Sequence, residues 1–312
     1  MLRSVLVTAG VTALLGALAF GQSSLPSIRD VRPVTFPAYN TYRGIELYAP
    51  TSAEYQQAIG DRAFVMERLT YRSDDLDVFA YLYRPATPPQ GQRLPVVVYN
   101  RGGYVRDDFS PEVLMLARRL AREGFVVIAP MLRGSGGAGG HDEMGGADVH
   151  DIFNVLPVVQ ALPYVDSGRL FLYGESRGGI VSLQAARNGL PARAVAVWGA
   201  ITDLGRYLAD TPALRPLIPT IWPDFGANEM AILESRSAMQ WADKIGPPLL
   251  VMNGTADRQV PPLHAVQFAT TLQTLGKRYE LKLFDGEGHV AVRRAAERDA
   301  DAVRWFRRFD AR

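Results

Sequence analysis

Residues 170–179 read Leu-Phe-Leu-Tyr-Gly-Glu-Ser-Arg-Gly-Gly, and the reading of this stretch decides the fold. The apolar run 170–173 is too short for a helix and suits a strand buried on both faces, whereas residues 177–188 carry a helical pattern that Gly189 is placed to end. Between them, Gly174-Glu175-Ser176-Arg177-Gly178 has G-x-S-x-G spacing in the strand-turn-helix setting that exposes a serine hydroxyl on a strained turn. Glycines two residues to either side of Ser176 remove Cβ atoms that would collide at so sharp a corner. Ser176 is therefore the candidate nucleophile. The backbone N–H of Arg177, at the start of a helix, is a candidate donor to an oxyanion. The alternative is a glycine-rich turn that merely packs tightly.

Working outward, the runs 95–99, 125–130, 194–198 and 249–252 are likewise short and apolar, and helical patterns alternate with them at Pro111–Arg122, 148–161, 177–188 and 263–275. Ser110 is placed to N-cap the first of these helices. The alternation predicts an α/β fold with a mostly parallel central sheet covered by helices on both faces. Ahead of it, 65–71 and 76–83 read as an antiparallel hairpin about the turn 72–75. Behind it come a strand at Tyr279–Phe284 and a charged helix at 291–309. Residues 201–244 contain Pro212, Pro216, Pro219, Pro223 and two tryptophans, are too long for a crossover loop, and are read as a small inserted cap. Residues 22–62, rich in Pro, Tyr and Thr, read as an N-terminal arm against a main domain spanning 63–312.

With 312 residues and 47% hydrophobic content the chain can bury a full core in one domain. Its 34 basic and 32 acidic residues give a formal net charge of +2 without a long basic run, which argues against nucleic acid as a partner. The absence of cysteine excludes disulfides, thiolate metal sites, a thiol nucleophile and a lipid-modified lipoprotein cysteine. Residues 1–21 carry one charge, Arg3, then an apolar run and the small residues Ala17, Ala19 and Gly21 before Gln22-Ser23-Ser24. The run falls short of the about 20 residues of a membrane span and reads as a cleaved export signal, giving a secreted or periplasmic protein without stable membrane insertion.

A serine nucleophile needs a base. His289 ends Phe284-Asp285-Gly286-Glu287-Gly288-His289, a loop after the last strand, and parallel strands place their following loops at one edge, the edge that carries Ser176. His141 lies in a glycine-rich loop and His150 and His264 fall on helical segments, where solvated or capping roles suit them. No histidine spacing supports a metal, and no cofactor is implied. Asp257, in Asn253-Gly254-Thr255-Ala256-Asp257 after the strand 249–252, is the candidate acid that holds the imidazole tautomer, with Asp203 as its competitor. The order Ser176, Asp257, His289 is that of an α/β-hydrolase triad. A second oxyanion donor is expected from Asn100-Arg101-Gly102-Gly103-Tyr104: the backbone N–H of Arg101 or Gly102, or the Tyr104 hydroxyl.

Over roughly residues 63–312 these features resemble the catalytic domain of the prolyl oligopeptidase family of serine peptidases. The matching pieces are Asn100-Arg101-Gly102-Gly103, Arg133-Gly134-Ser135-Gly136-Gly137, Pro163-Tyr164-Val165-Asp166, Gly174-Glu175-Ser176-Arg177-Gly178-Gly179, Asn253-Gly254-Thr255-Ala256-Asp257 with Val260-Pro261-Pro262, and Gly286-Glu287-Gly288-His289. The resemblance implies an α/β-hydrolase fold, the same triad, and cleavage of amide bonds in small peptides through an acyl-enzyme. Two departures stand out. Residues 22–62 leave room for a short arm rather than the β-propeller that family members usually carry, and arginine stands at 101, near where many members hold the oxyanion with tyrosine. A carboxylesterase acting on small acyl esters is the alternative, and a non-catalytic binding protein on a hydrolase scaffold is a third. Tyr104, Asp142 and Glu143 are candidate substrate contacts, the functional reading of the two acids being that one of them pairs with a substrate's free amino group in place of propeller glutamates. Solvated or helix-capping roles are the other reading of those acids. Oligomeric state is not legible.

Overall fold

The apolar runs become the interior of one sheet. The computed structural model describes residues 28–42, 44–104 and 109–311; the expected export signal lies outside them. The strands are β1 Ile28–Pro33, β2 Phe64–Ser73, β3 Leu76–Pro85, β4 Leu94–Asn100, β5 Val126–Pro130, β6 Val165–Glu175, β7 Val195–Trp198, β8 Leu249–Gly254 and β9 Tyr279–Phe284. Their order is β1-β2-β3-β5-β4-β6-β7-β8-β9, antiparallel from β1 through the β3/β5 pair and parallel from β5 to β9. Ser73 pairs with Leu76, so the hairpin turn is the two residues Asp74-Asp75, with Asp74 at φ 50°.

The helices are α1 Ser52–Ile59, α2 Pro111–Arg122, α3 Val149–Asn154, α4 Leu156–Ala161, α5 Arg177–Arg187, α6 Leu204–Asp210, α7 Ile218–Ile221, α8 Phe225–Arg236, α9 Leu263–Thr274 and α10 Ala295–Arg308. Alternate strand residues divide between two cores. Val96, Val98, Leu172 and Val197 face α3, α4, α5 and α9; Val97, Tyr99, Tyr173 and Trp198 face α1, α2 and α10. Each fully buried aliphatic or aromatic side chain contributes on the order of 1.5–3 kcal/mol.

Three expectations change. The helix expected over 148–161 is two helices, because Pro157 has no N–H to offer the Phe153 carbonyl. The nucleophile strand extends back to Val165. The arm adds an edge strand, β1, whose mostly exposed residues show no alternation to read. Within 201–244 lie α6, α7 and α8 with 3-10 turns between and after them.

The topology fixes where a site can form. β4 leads into α2 on one face, its neighbour β6 leads into α5 on the other, and the crevice opens where adjacent strands diverge in this way.

Candidate active site

At the end of β6, Ser176 has φ 53° and ψ −120°, a strained conformation for a residue with a side chain, and it is half-exposed between buried neighbours. The motif glycines are required by contact. A Cβ on Gly178 would lie 1.9 Å from the Asn100 carbonyl oxygen, and one on Gly174 would lie 2.5 Å from the Gly178 carbonyl oxygen. The Ser176 N–H donates to the Trp198 carbonyl at 2.8 Å, tying the corner to β7.

His289 and Asp257 meet across that same corner. His289 Nδ1 lies 2.7 Å from Asp257 Oδ2, and the Asp257 side chain is fully buried. Its other oxygen accepts the N–H groups of Gln259 and Val260, both at 2.9 Å, which fixes the carboxylate in place. Trp198 Nε1 donates to the His289 carbonyl at 2.5 Å, and a Cβ on the next residue, Gly199, would lie 3.1 Å from the His289 ring and 3.3 Å from Asp257 Oδ2. Trp198 thus bonds both Ser176 and His289, and the missing side chain at Gly199 leaves room for the His289–Asp257 pair. The competing acid is elsewhere: Asp203 Oδ1 accepts the Arg206 N–H at 3.0 Å as the N-cap of α6. His141 bonds the Ile221 carbonyl and His150 bonds Asp74. His264 is buried on α9 with neither ring nitrogen hydrogen-bonded, and burial lowers its pKa.

The oxyanion candidates separate. The Arg177 N–H stands at the first position of α5, where no helical carbonyl accepts it. The Gly102 N–H is turned inward and donates to Glu112 Oε1 at 3.2 Å, so the expectation that it faces a substrate is corrected. The Tyr104 hydroxyl is also spent, donating to the Asp142 carbonyl at 3.0 Å. The Arg101 guanidinium is buried and donates to the carbonyls of Gly102, Tyr104 and Met131 and to Ser135 Oγ, leaving only its peptide group as a candidate.

The expected rim acids are corrected too. Asp142 is fully buried in a close ion pair with Arg177, because that guanidinium, carried inward by the elbow, needs a counter-charge. Asp148 shares the same guanidinium at 3.2 Å and takes the N–H groups of Gly145 and Gly146. Glu143 accepts the Ala147 N–H at 3.0 Å and lies 3.8 Å from Arg236 of α8. Residues the sequence reading passed over are Glu112, Arg298, Arg236 and Trp222. The one signal that could have found the first two is Glu175 itself, an acid ending an apolar strand and therefore in need of partners.

A strained serine, a histidine backed by a buried aspartate, and a diverging strand pair at one sheet edge define an α/β-hydrolase. A family model described as the prolyl oligopeptidase family matches residues 109–310, and the chain belongs to that family. It is a serine peptidase-like hydrolase. It is 28% identical over 219 residues to the uncharacterized peptidase YtmA of Bacillus subtilis, covering 68% of this chain and 81% of that one. It is 27% identical to the acylamino-acid-releasing enzyme of Homo sapiens over 74% of this chain, but spans only 34% of that protein. Among solved structures, a puromycin-hydrolyzing peptidase of Mycobacterium tuberculosis superposes with a TM-score of 0.66 at 25% identity, over 79% of this chain and 39% of that one. Acetyl xylan esterase 1 of Thermoanaerobacterium shares the fold over 91% of both chains with a TM-score of 0.62 at 16% identity. Among the described residues no helix is long and apolar enough to cross a membrane.

Proposed function

We propose that the chain cleaves amide bonds of short peptides whose amino group is blocked and whose acyl-side residue is apolar, with Ser176 as nucleophile, His289 as base and Asp257 as the orienting acid. The observation that carries the reading is the 2.7 Å contact of His289 Nδ1 with a buried carboxylate at the corner occupied by Ser176. Asp257 keeps the proton on Nδ1, so Nε2 is free to take the Ser176 proton as Oγ bonds to the substrate carbonyl carbon. The carbonyl electron pair moves onto oxygen, where the N–H groups of Arg177 and Arg101 donate to it. Collapse expels the amine, which takes the proton from His289, and water repeats the sequence on the ester.

The preference follows from the surroundings. Met144, Ile180, Ile201, Trp222 and Val260 pack as one apolar cluster joining the cap to the elbow and to the Asp257 loop. The nearby acids are already committed: Asp142 to Arg177, Glu143 to Ala147 and Arg236. A free ammonium would be desolvated there without a partner, which disfavours it by about tenfold or more. The test is a panel of N-acetylated and free aminoacyl amides and short-chain acyl esters. Blocked apolar amides should lead; faster cleavage of the free amines would overturn the preference, and ester turnover with no amide turnover would assign a carboxylesterase. We also propose export, on the single charge and short apolar run of residues 1–21. Mass spectrometry of the mature protein should find it beginning after about residue 19; an intact Met1 would overturn this.

A further inference from the structure

Glu175, next to the nucleophile, is buried with a second acid. Tyr99 Oη donates to Glu112 Oε1 at 2.5 Å, and the Gly102 N–H donates to the same oxygen at 3.2 Å. Glu112 also stands beside Glu175 and, as a neighbouring acid, disfavours its ionisation. Arg298 Nη1 lies 2.8 Å from Glu175 Oε1 with no hydrogen bond aligned along the contact, while Arg298 Nε donates to Asp299 Oδ1 at 2.8 Å. Asp299 also accepts from Tyr173 Oη at 3.0 Å and from Arg119 Nε at 2.5 Å. The charged and titratable groups facing Glu175 are thus Tyr99 from β4, Glu112 and Arg119 from α2, Tyr173 from its own strand, and Arg298 and Asp299 from α10.

Two guanidinium groups, Arg119 and Arg298, face three carboxyls, Glu112, Glu175 and Asp299, so neutrality leaves one proton in the cluster. Burial assigns that proton to Glu175, whose partner Arg298 is shared with Asp299, and an uncharged Glu175 lets Glu112 keep its hold on the Gly102 N–H. The turn it secures touches the nucleophile: a Cβ on Gly102 would lie 3.2 Å from Ser176 Cβ and 3.5 Å from the Glu175 carbonyl oxygen.

We infer that Glu112, through the Gly102 N–H, and Glu175, through its retained proton, are positioning residues that seat the 100–103 turn against Ser176, and that ionisation of Glu175 beside Glu112 loosens the turn and slows acyl transfer. The inference rests on the triad reading above. Burial, with Glu112 and Asp299 adding to it against the pull of Arg298, pushes the Glu175 carboxyl up to about 8. Ionisation of Glu175 therefore falls within reach of an ordinary rate profile.

The experiment is kcat and KM of the full chain from about pH 6 to 10 on an N-acetylated apolar aminoacyl anilide, which has no titrating group in that window, beside fluorophosphonate labelling of Ser176. The wild-type kcat should fall above about pH 8 with KM changed less than about twofold, and Glu175→Gln should move that limb upward by about one pH unit or more. Glu112→Gln, nearly isosteric, should lower kcat by about tenfold with little change in KM. An alkaline limb that stays in place in Glu175→Gln, or a Glu112→Gln kcat within about twofold of wild type, would overturn the inference while labelling upholds the triad. Should Glu112→Gln not fold, the Glu175→Gln profile decides alone. Absence of labelling at Ser176 would overturn the triad reading and this inference with it.

Discussion

Glu175 and Arg177 flank Ser176, and both are buried ionisable residues, but their partners lie on opposite sides of the elbow. On the Arg177 side the guanidinium meets Asp142 and Asp148, with Glu143 and Arg236 beyond them. On the Glu175 side the partners are Glu112, Arg298, Asp299 and Arg119. Each side sets three carboxyls against two arginines. The difference is which charge meets water: on the Arg177 side it is an acid, Glu143, with its side chain 39% exposed, whereas on the Glu175 side the acids are buried and it is an arginine, Arg119, at 25%. The open cluster can leave its surplus charge in solvent, and the closed one retains a proton. Burial also raises the Asp142 carboxyl, with the Arg177 guanidinium pulling it back. The same charge count therefore yields a mainly architectural clamp on one side and a titratable support on the other.

The largest effects belong to the residues between the two clusters. Ser176→Ala should lower turnover about ten-thousandfold, and Asp257→Asn about a thousandfold or more, because the imidazole would then adopt the wrong tautomer. Asp203→Asn should stay within about threefold, since asparagine caps α6 nearly as well. Steady-state hydrolysis of a blocked amide measures all three. Equal losses at Asp257 and Asp203 would move the acid and dissolve the comparison's centre.

Breaking the Arg177 side comes next. Arg177→Met leaves Asp142 and Asp148 buried without their cation and should cost about 3–5 kcal/mol in a urea titration. Adding Asp142→Asn should restore part of that loss, because one uncompensated charge is removed. A single variant within about 1 kcal/mol of wild type would show that the clamp is not structural.

How much of this was legible in the sequence depended on the range of the interaction. β4, β5, β7 and β8 are wholly buried and read directly as apolar runs. Ser176, Asp257 and His289 each stand in a loop after a strand, where short motifs declare them. β1 was not legible because all its residues after the first are exposed and impose no alternation. The burial of Asp142 was not legible because it follows from the direction in which Arg177 leaves the elbow. Glu112 met Glu175 only once α2 had packed on the sheet face that carries Tyr99 and Tyr173, although an acid ending an apolar strand announced that some partner was needed.

The closed cluster should also mark the pH dependence of stability. The folded carboxyl of Glu175 is raised to about 8 from an ordinary 4.5, so its contribution is fully present below about pH 4.5 and is lost as pH rises through about 8. Tm should therefore decline across that window for this group, and Glu175→Gln should flatten the decline, with the larger gain at the alkaline end. Differential scanning calorimetry at intervals of pH checks this. A slope unchanged by the substitution would place the retained proton elsewhere in the cluster.

The smallest effect is expected at the open end of the Arg177 side, and it bears on both stability and substrate choice. Glu143 is more than a third exposed and 3.8 Å from Arg236, a separation at which water screens most of the attraction. Its firmer contact is the 3.0 Å bond from the Ala147 N–H, which glutamine can also accept through its amide oxygen. Glu143→Gln should thus change unfolding free energy by less than about 1 kcal/mol. It should also leave the ratio of rates on free and N-acetylated dipeptide amides within about twofold, because the carboxylate is engaged with its own chain rather than with a substrate amine. A tenfold fall in the relative rate on free amines would restore Glu143 as an amine-binding residue. It would also mean that the open cluster, and not the closed one, is where this chain reads its substrate's charge.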